Sequence, residues 1–179
     1  MAISEQTKKV LANTHKRLWD ININEVPKVT KVIVAIGIGS LATRKGVKDF
    51  SEVEKNLKMI AGQKPHIIHS KKSVSNFKLR EGMPVMMKVT LRGQKAYDFL
   101  FKVMSIVLPR VRDFEGLSRK SFDGAWNYNF GLPTYNMFPE LHPDDITIPV
   151  GLQMSIWTKA NSAKDAQVLL EELGFVFKK

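Results

Sequence analysis

Residues 70–93 read SKKSVSNFKLREGMPVMMKVTLRG and contain two different patterns. From Val85 to Arg92 the side chains alternate, which is typical of a half-buried strand. One parity is apolar and faces a core, whereas the other carries Lys88, Thr90 and Arg92. The residues before this strand are basic and follow neither a strand nor a helix period, so they predict a long, basic, mobile loop at about residues 70–82. A cationic strand face beside a basic loop suits phosphate groups.

The net charge supports a polyanionic partner. The chain has 179 residues, of which 44% are hydrophobic, and this predicts a single domain over residues 1–179. The formal net charge is +11, and residues 63–120 hold 13 basic and 4 acidic side chains. Residues 121–179 hold 4 basic and 7 acidic side chains. A concentrated positive field favours nucleic acid or an anionic membrane surface.

Several classes of protein are disfavoured by the composition. The chain has no cysteine, which excludes disulfides and thiolate zinc sites. It has no apolar run of signal-peptide length near its start and none of the roughly 20 residues needed to cross a bilayer. We therefore expect a cytoplasmic protein without a membrane partner.

Hydrophobic periodicity predicts an alternation of helices and strands. The predicted helices cover residues 4–19, 49–61, 93–108 and 162–174. Ser4 and Ser162 are the predicted N-caps of the first and last of them, and Gly174 lies just past the end of the last. The predicted strands cover residues 28–36, 66–69, 85–92, 127–132 and 150–159. A second long loop is predicted at about residues 110–126, and turns are predicted between Pro133 and Pro149.

The four longer strands each have one apolar and one polar parity. This pattern predicts an α+β fold with a mainly antiparallel sheet, helices on one face and an open, basic face on the other, which either contacts nucleic acid or is an ordinary solvated face. The polar parities hold Lys31, Lys88, Thr90, Arg92, Asn127, Asn129, Gln153, Ser155 and Lys159.

Motifs for catalysis are weak. Residues 37–42 read GIGSLA after a strand, as in a dinucleotide-binding turn, but residues 43–46 break the apolar pattern where the helix should begin. We interpret Gly37 and Gly39 as a tight turn. His66 and His69 point to opposite sides of a strand and cannot share a metal. The neighbouring acids Asp144 and Asp145 are interpreted as turn residues, so no enzyme activity, cofactor or metal is predicted.

Two tryptophans have alternative interpretations. The aromatic faces of Trp126 and Trp157 suit the stacking of unpaired bases, and they equally suit local packing.

Eight segments, in this order, resemble bacterial large-subunit ribosomal protein number five, the family that binds 5S rRNA in the central protuberance. They span nearly the whole chain. The segments are GQKP (62–65), KKSV (71–74), FKLREG (77–82), KVTLRG (88–93), LPRVRDF (108–114), GLS (116–118), KSFDG (120–124) and FPE (138–140).

The resemblance implies that the open sheet face holds a 5S rRNA helix. In the family, the residues corresponding to Gln63 and Thr90 hydrogen-bond the RNA, and the 5S-binding positions further include Lys31, Lys88 and Arg92 as phosphate partners. A further family contact is an Asn at the position of Ala35. Because Ala35 lacks the amide, we expect weaker or rearranged 5S contact there.

The resemblance also assigns partners to the two loops. The first loop faces P-site tRNA and carries Lys71, Lys72, Ser73, Phe77, Lys78 and Arg80. In it, Asn76 replaces a usual Gly, which restricts but does not abolish a positive φ. The second loop faces large-subunit rRNA and a small-subunit protein across an intersubunit bridge, and carries Arg110, Arg112, Arg119 and Lys120. Ala125-Trp126 replaces a usual Arg-Gly there, so Trp126 is expected to stack where a guanidinium would pair.

The implied function is structural: a ribosomal protein, located in the cytoplasm within the ribosome, that attaches 5S rRNA to the central protuberance and contacts neighbouring ribosomal proteins. The alternative is an extra-ribosomal RNA-binding or RNA-chaperone protein. A nucleotide-binding enzyme using the Gly37–Gly39 turn is a third hypothesis.

Overall fold

The computed structural model describes residues 4–18, 22–44, 49–142 and 146–178. The predicted turn acids Asp144 and Asp145 lie outside these ranges. The helices are α1 (Glu5–Arg17), α2 (Gly39–Arg44), α3 (Ser51–Ala61), α4 (Gln94–Lys102) and α5 (Ala163–Glu172). The strands are β1 (Lys28–Gly37), β2 (His66–His69), β3 (Pro84–Arg92), β4 (Tyr128–Leu132) and β5 (Leu152–Lys159).

The five strands form one antiparallel sheet in the order β2-β3-β1-β5-β4. In the β2–β3 pair, His66 lies opposite Lys88 and Ile68 opposite Met86, and the register shifts between Ile68 and His69. The prediction of an α+β fold with a mainly antiparallel sheet is confirmed. Because β1 has no parallel partner, the crevice of a dinucleotide-binding fold cannot form at its end.

The predicted strand parities agree with burial. On β1 the side chains of Val32, Val34 and Ile36 are fully buried. Met87, Val89 and Leu91 of β3 and the apolar parity of β5 are likewise buried, whereas Lys88 and Thr90 are half-buried and Arg92 is exposed. Burial of the apolar parity is the main favourable contribution to folding of such a sheet.

The chain forms two compact units. The first comprises residues 1–33, 91–130 and 155–179, and contains α1, α4 and α5. The amide of Gln94 accepts a hydrogen bond from the Ser4 backbone N–H at 2.9 Å and donates one to the Ser4 hydroxyl at 2.9 Å. At the other end of α1, Arg17 donates to Glu171 and Glu172 of α5 at 2.8 and 3.0 Å. Helices α1, α4 and α5 are thus joined by polar contacts at their ends.

The second unit comprises residues 34–90 and 131–154 and contains α2, α3, β2 and the first long loop. The buried Tyr135 donates its hydroxyl proton to the Ile148 carbonyl at 2.7 Å and accepts from the Asn56 amide at 3.4 Å. The backbone N–H of Ile38, after β1, donates to the Val85 carbonyl at 2.9 Å. The sequence-based prediction of one domain over residues 1–179 stays a prediction.

Several element boundaries differ from the predictions. Residues 39–44 form a short helix, α2, where a turn was predicted. The predicted helix 93–108 is α-helical only to Lys102 and continues as a π turn, Val103–Val107, and a 3₁₀ turn that includes Pro109. The last strand begins at Leu152 rather than at residue 150. Pro109 is tolerated in the 3₁₀ turn because the first turn of a helical segment does not use the backbone N–H that proline lacks.

One residue assigned to the open face is buried. Asn127 is only 4% exposed, precedes β4, and accepts a hydrogen bond from the Thr158 backbone N–H at 3.2 Å. Its amide donates to Asp123 at 2.9 Å. The alternation pattern failed at this position because a buried amide with two partners can replace an apolar side chain.

The predicted caps of the terminal helices are confirmed. The Ser4 hydroxyl accepts from the Thr7 backbone N–H, and the Ser162 hydroxyl accepts from that of Asp165. Gly174 follows α5 with a φ of 97°, a conformation that favours glycine.

Tyr97 anchors the start of β1. The Tyr97 hydroxyl accepts a hydrogen bond from the buried Val29 backbone N–H at 3.0 Å. We expect Tyr97→Phe to lower the free energy of unfolding by about 1–3 kcal/mol, because the Val29 N–H loses its partner inside the protein. Urea denaturation measures this change, and Lys95→Ala, at an exposed position of the same helix, is the control. Equal stability of Tyr97→Phe and the control would contradict the prediction.

Candidate nucleic-acid interface

Strand β3 places three polar side chains on its less buried parity. Lys88 and Thr90 are half-buried and Arg92 is exposed, whereas Met87, Val89 and Leu91 between them are at most 2% exposed. Alternation along a strand therefore aligns an ammonium, a hydroxyl and a guanidinium in one row. No carboxylate in the described ranges forms an ion pair with Lys88 or Arg92, so their charges remain available.

Gln63 lies at the same end of the β2–β3 pair as Thr90. Helix α3 ends at Gly62, whose φ of 64° is left-handed and whose N–H donates to the Lys58 carbonyl. The exposed Gln63 follows at once, and β2 begins three residues later. Because His66 lies opposite Lys88 in an antiparallel register, the residues before His66 run alongside those after Lys88. The structure thus brings two of the predicted hydrogen-bonding residues to one strand end.

Lys31 on β1 contacts an aromatic ring. Its ammonium nitrogen lies 3.7 Å from the ring centroid of Trp157 on β5. The neighbouring Thr30 hydroxyl donates to the Trp157 carbonyl at 2.9 Å. Trp157 is 39% exposed, and the stacking of bases on its ring stays a prediction.

Ala35 shares the parity of Lys31 on β1 but is only 8% exposed. It offers a methyl group where the resemblance implies an amide, so this position supplies no hydrogen bond to a ligand.

The first loop contains local structure that its composition did not predict. Val74 and Leu79 form an antiparallel bridge with hydrogen bonds of 3.0 and 3.1 Å, and residues 75–77 form a 3₁₀ turn. The loop tip and α2 border an open cavity of about 560 Å³. All six residues predicted to face tRNA are exposed, Phe77 at 70%. The predicted mobility of this loop stays a prediction.

The positive φ expected near residue 76 occurs elsewhere. Lys78 has a φ of 53°, whereas Asn76 lies inside the 3₁₀ turn and has no positive φ. Asn76 thus does not use the left-handed conformation, which falls instead on Lys78, the residue after the 3₁₀ turn.

The second loop is fixed to the C-terminal segment of the first unit. The Leu117 backbone N–H donates to the Val176 carbonyl at 2.8 Å, and the Lys178 N–H donates to the Leu117 carbonyl at 2.9 Å. Gly116 has a φ of 108°, and a Cβ there would lie 3.0 Å from the Lys178 nitrogen. Rings of Phe122, Tyr128, Phe130, Phe175 and Phe177 pack against one another with centroid separations of 4.8–6.4 Å.

The four cations predicted on this loop are all exposed: Arg110, Arg112, Arg119 and Lys120. None of them forms an ion pair with a carboxylate in the part of the chain that the structure describes. The loop therefore displays four charges on a backbone that hydrogen bonds and rings hold in place.

Asp123 organises the turn that ends this loop, a role that the sequence analysis missed. Its carboxylate accepts from the backbone N–H groups of Ala125 and Asn127 at 2.9 and 2.8 Å and from the Asn127 amide at 2.9 Å. The pair Asp123-Gly124 is a turn signal that could have indicated it. These bonds, chiefly that of the Asn127 side chain, lower the pKa of the Asp123 carboxyl.

Trp126 occupies a strained backbone position. Its φ is 60°, which is uncommon for a side chain of this size, and it stands where the resembling family has a usual Gly. Its carbonyl accepts from the Thr158 hydroxyl at 2.8 Å, which helps to hold the conformation. The expected stacking of Trp126 on RNA stays a prediction.

We expect Asp123→Ala to destabilise the protein by about 1 kcal/mol at pH 7, since the carboxylate is exposed and its bonds are only partly shielded from water. A lowered pKa stabilises the fold above the ordinary Asp value of 3.8, and this contribution is lost as the pH falls through the folded-state pKa. The difference between wild type and Asp123→Ala should therefore shrink below about pH 4 in denaturant titrations. A difference that stays constant as the pH falls well below 3.8 would argue against it, and Asp123→Asn, which keeps one oxygen acceptor, is the control.

Within the described ranges, no three His, Asp or Glu side chains are grouped to hold a metal ion. No described helix is long and apolar enough to cross a membrane.

Comparison with known proteins identifies the family. Residues 22–80 match the family model "Ribosomal protein L5", and residues 84–177 match the model for the C-terminus of the same family. The "Large ribosomal subunit protein uL5" of Thermosipho melanesiensis is 47% identical over 158 residues, which cover 88% of this chain and 86% of that protein. Its namesake in Thermus aquaticus is 46% identical with the same coverage, and that of Natranaerobius thermophilus is 49% identical over 87% and 86% of the two chains.

The chain belongs to the ribosomal protein L5 family, and the resemblance drawn from its sequence segments is confirmed. It is therefore a structural constituent of the large ribosomal subunit, with rRNA and ribosomal proteins as partners. The predictions that the chain is not an enzyme and that it is located in the ribosome, in the cytoplasm of bacteria, are also confirmed.

Proposed function

We propose that this protein binds 5S rRNA and attaches it to the central protuberance of the large ribosomal subunit. The observation that carries the proposal is the row of Lys88, Thr90 and Arg92 on the less buried parity of β3, with Gln63 at the same strand end. Family membership supports the proposal, because it makes rRNA a partner of this chain.

The chemistry of this row suits an RNA duplex. A-form RNA presents a wide, shallow minor groove lined with 2′-hydroxyls, which hydroxyl and amide groups contact without reading much sequence. Thr90 and Gln63 offer such groups, and Lys88, Arg92 and Lys31 offer positive charge to the flanking phosphates. Each phosphate neutralised releases counterions, so binding weakens as salt rises.

The two long loops are proposed to contact other partners. The exposed cations and Phe77 of residues 70–82 suit the backbone and bases of P-site tRNA. The exposed cations of residues 110–126 suit large-subunit rRNA and a small-subunit protein across the intersubunit bridge. Both assignments rest on the family and on the exposure of these side chains.

The alternative is an extra-ribosomal RNA-binding or RNA-chaperone protein. Its surface charge would bind any structured RNA through phosphates, whereas a 5S site requires the hydrogen-bonding residues as well. Affinity for 5S rRNA and for an unrelated structured RNA of equal length, measured over a range of salt, separates the two.

We expect the double substitution Gln63→Ala with Thr90→Ala to remove the preference for 5S rRNA, with a loss of about 2–5 kcal/mol in 5S binding, because two hydrogen-bonding groups are lost. The matched control is Gln6→Ala with Thr147→Ala, which removes an exposed amide and an exposed hydroxyl elsewhere. Unchanged preference in the double variant would place the 5S site away from this row. Equal affinity of the wild type for both RNAs would favour the alternative function.

Ala35→Asn restores the amide that the resemblance implies. We expect it to tighten 5S binding by about 1–3 kcal/mol while leaving binding of the unrelated RNA unchanged, because an RNA group now without a partner gains one. The same affinity assay measures the effect, and Ala35→Val controls for added volume. No gain from Ala35→Asn, or an equal gain from Ala35→Val, would contradict the expectation.

A further inference from the structure

Trp157 is a large aromatic residue on the polar parity of its strand. On β5 the side chains of Ile156 and Thr158 on either side are buried, and Trp157 shares its parity with Gln153, Ser155 and Lys159. It is therefore not a core residue. No residue in the described ranges accepts a hydrogen bond from its ring N–H, so the indole is held by its face and its backbone alone.

The ring of Trp157 contacts the ammonium group of Lys31. The Lys31 ammonium lies 3.7 Å from the ring centroid, within the range of a strong cation–π contact. The bond from the Thr30 hydroxyl to the Trp157 carbonyl fixes the two strands to each other at this point. No described carboxylate neutralises Lys31. A lysine head group that would otherwise sample many rotamers is thus restrained while keeping its full charge.

We propose that Trp157 is the positioning residue for Lys31 and that the two form a single RNA contact. The indole fixes the ammonium so that it can pair with a backbone phosphate. This inference rests on the proposed function, because it adds a contact to the 5S rRNA site. A quadrupole attracts a cation without neutralising it, so Lys31 remains able to pair with a phosphate.

An aromatic partner restrains Lys31 without the disadvantages of a carboxylate partner. A carboxylate partner would hold Lys31 equally well but would compete with phosphate for it and add a negative charge to the surface. An exposed lysine that pairs with no described carboxylate, such as Lys159 at the end of β5, loses more side-chain freedom on binding. The pair therefore reduces the entropic cost of one phosphate contact.

A double-mutant cycle tests the pair: wild type, Trp157→Leu, Lys31→Met and the double variant, each titrated with 5S rRNA and with an unrelated structured RNA at several salt concentrations. We expect Trp157→Leu to weaken 5S binding about two- to fivefold. In the Lys31→Met background the same change should have little effect. The slope of log K against log salt concentration should become less steep by about 1 in Lys31→Met. It should also become less steep in Trp157→Leu, although that substitution removes no charge.

Two further variants serve as controls. Trp157→Phe retains an aromatic face and should keep most of the affinity and the slope. Lys159→Met removes a neighbouring charge that touches no ring, and its effect should add to that of Trp157→Leu. Thermal unfolding of each variant shows that the protein titrated is folded, and Trp157→Phe provides the result if Trp157→Leu does not fold.

The outcomes separate this inference from the function on which it rests. If the wild type does not prefer 5S rRNA, the proposed function fails. If it does prefer 5S rRNA but Trp157→Leu leaves affinity and slope unchanged, or if the effects of Trp157→Leu and Lys31→Met simply add, the pairing is wrong while the 5S site stands.

Discussion

When a sheet packs one face on the core, one parity of its strands supplies the buried side chains and the other parity is available for contacts outside the core. In this protein the buried parity is filled by residues such as Val32, Val34 and Ile36, which supply the hydrophobic contribution to folding. On β3 the side chains between the buried ones are free of that requirement. The remaining parity of β3 carries charge and hydrogen-bonding groups without a folding penalty, because these groups stay in contact with water. The candidate interface is thus a consequence of strand geometry.

The sequence predicted well what depends on local periodicity. Alternation identified the strands, and the caps at Ser4 and Ser162 marked where two helices begin. It failed where a contact comes from distant residues: Asn127 follows a polar parity but is buried because Asp123 and Thr158 satisfy its amide. The end of α4 was predicted only in outline, since a π turn follows from tertiary packing rather than from side-chain period.

The candidate site likewise contains residues that could be predicted from the sequence and contacts that could not. The cations of β3 and of the two long loops could be named from the sequence. Those of β3 follow the strand period, and those of the loops are exposed and lie in stretches of basic composition. The contact of Lys31 with Trp157 could not, since it depends on β1 lying beside β5 in the sheet. The left-handed φ likewise fell on Lys78 rather than Asn76, because the hydrogen-bonded turn, not residue preference, decides which position closes it.

The pairing of Leu117 with Val176 and Lys178 has a consequence for how the protein matures. The two segments are far apart along the chain, and closing such a long loop is slow because its entropy must be lost before any contact compensates. The second loop can therefore adopt its final backbone only after the C-terminal segment has been synthesised. A chain that lacks the C-terminal segment therefore carries the same four cations on a loop without these two hydrogen bonds.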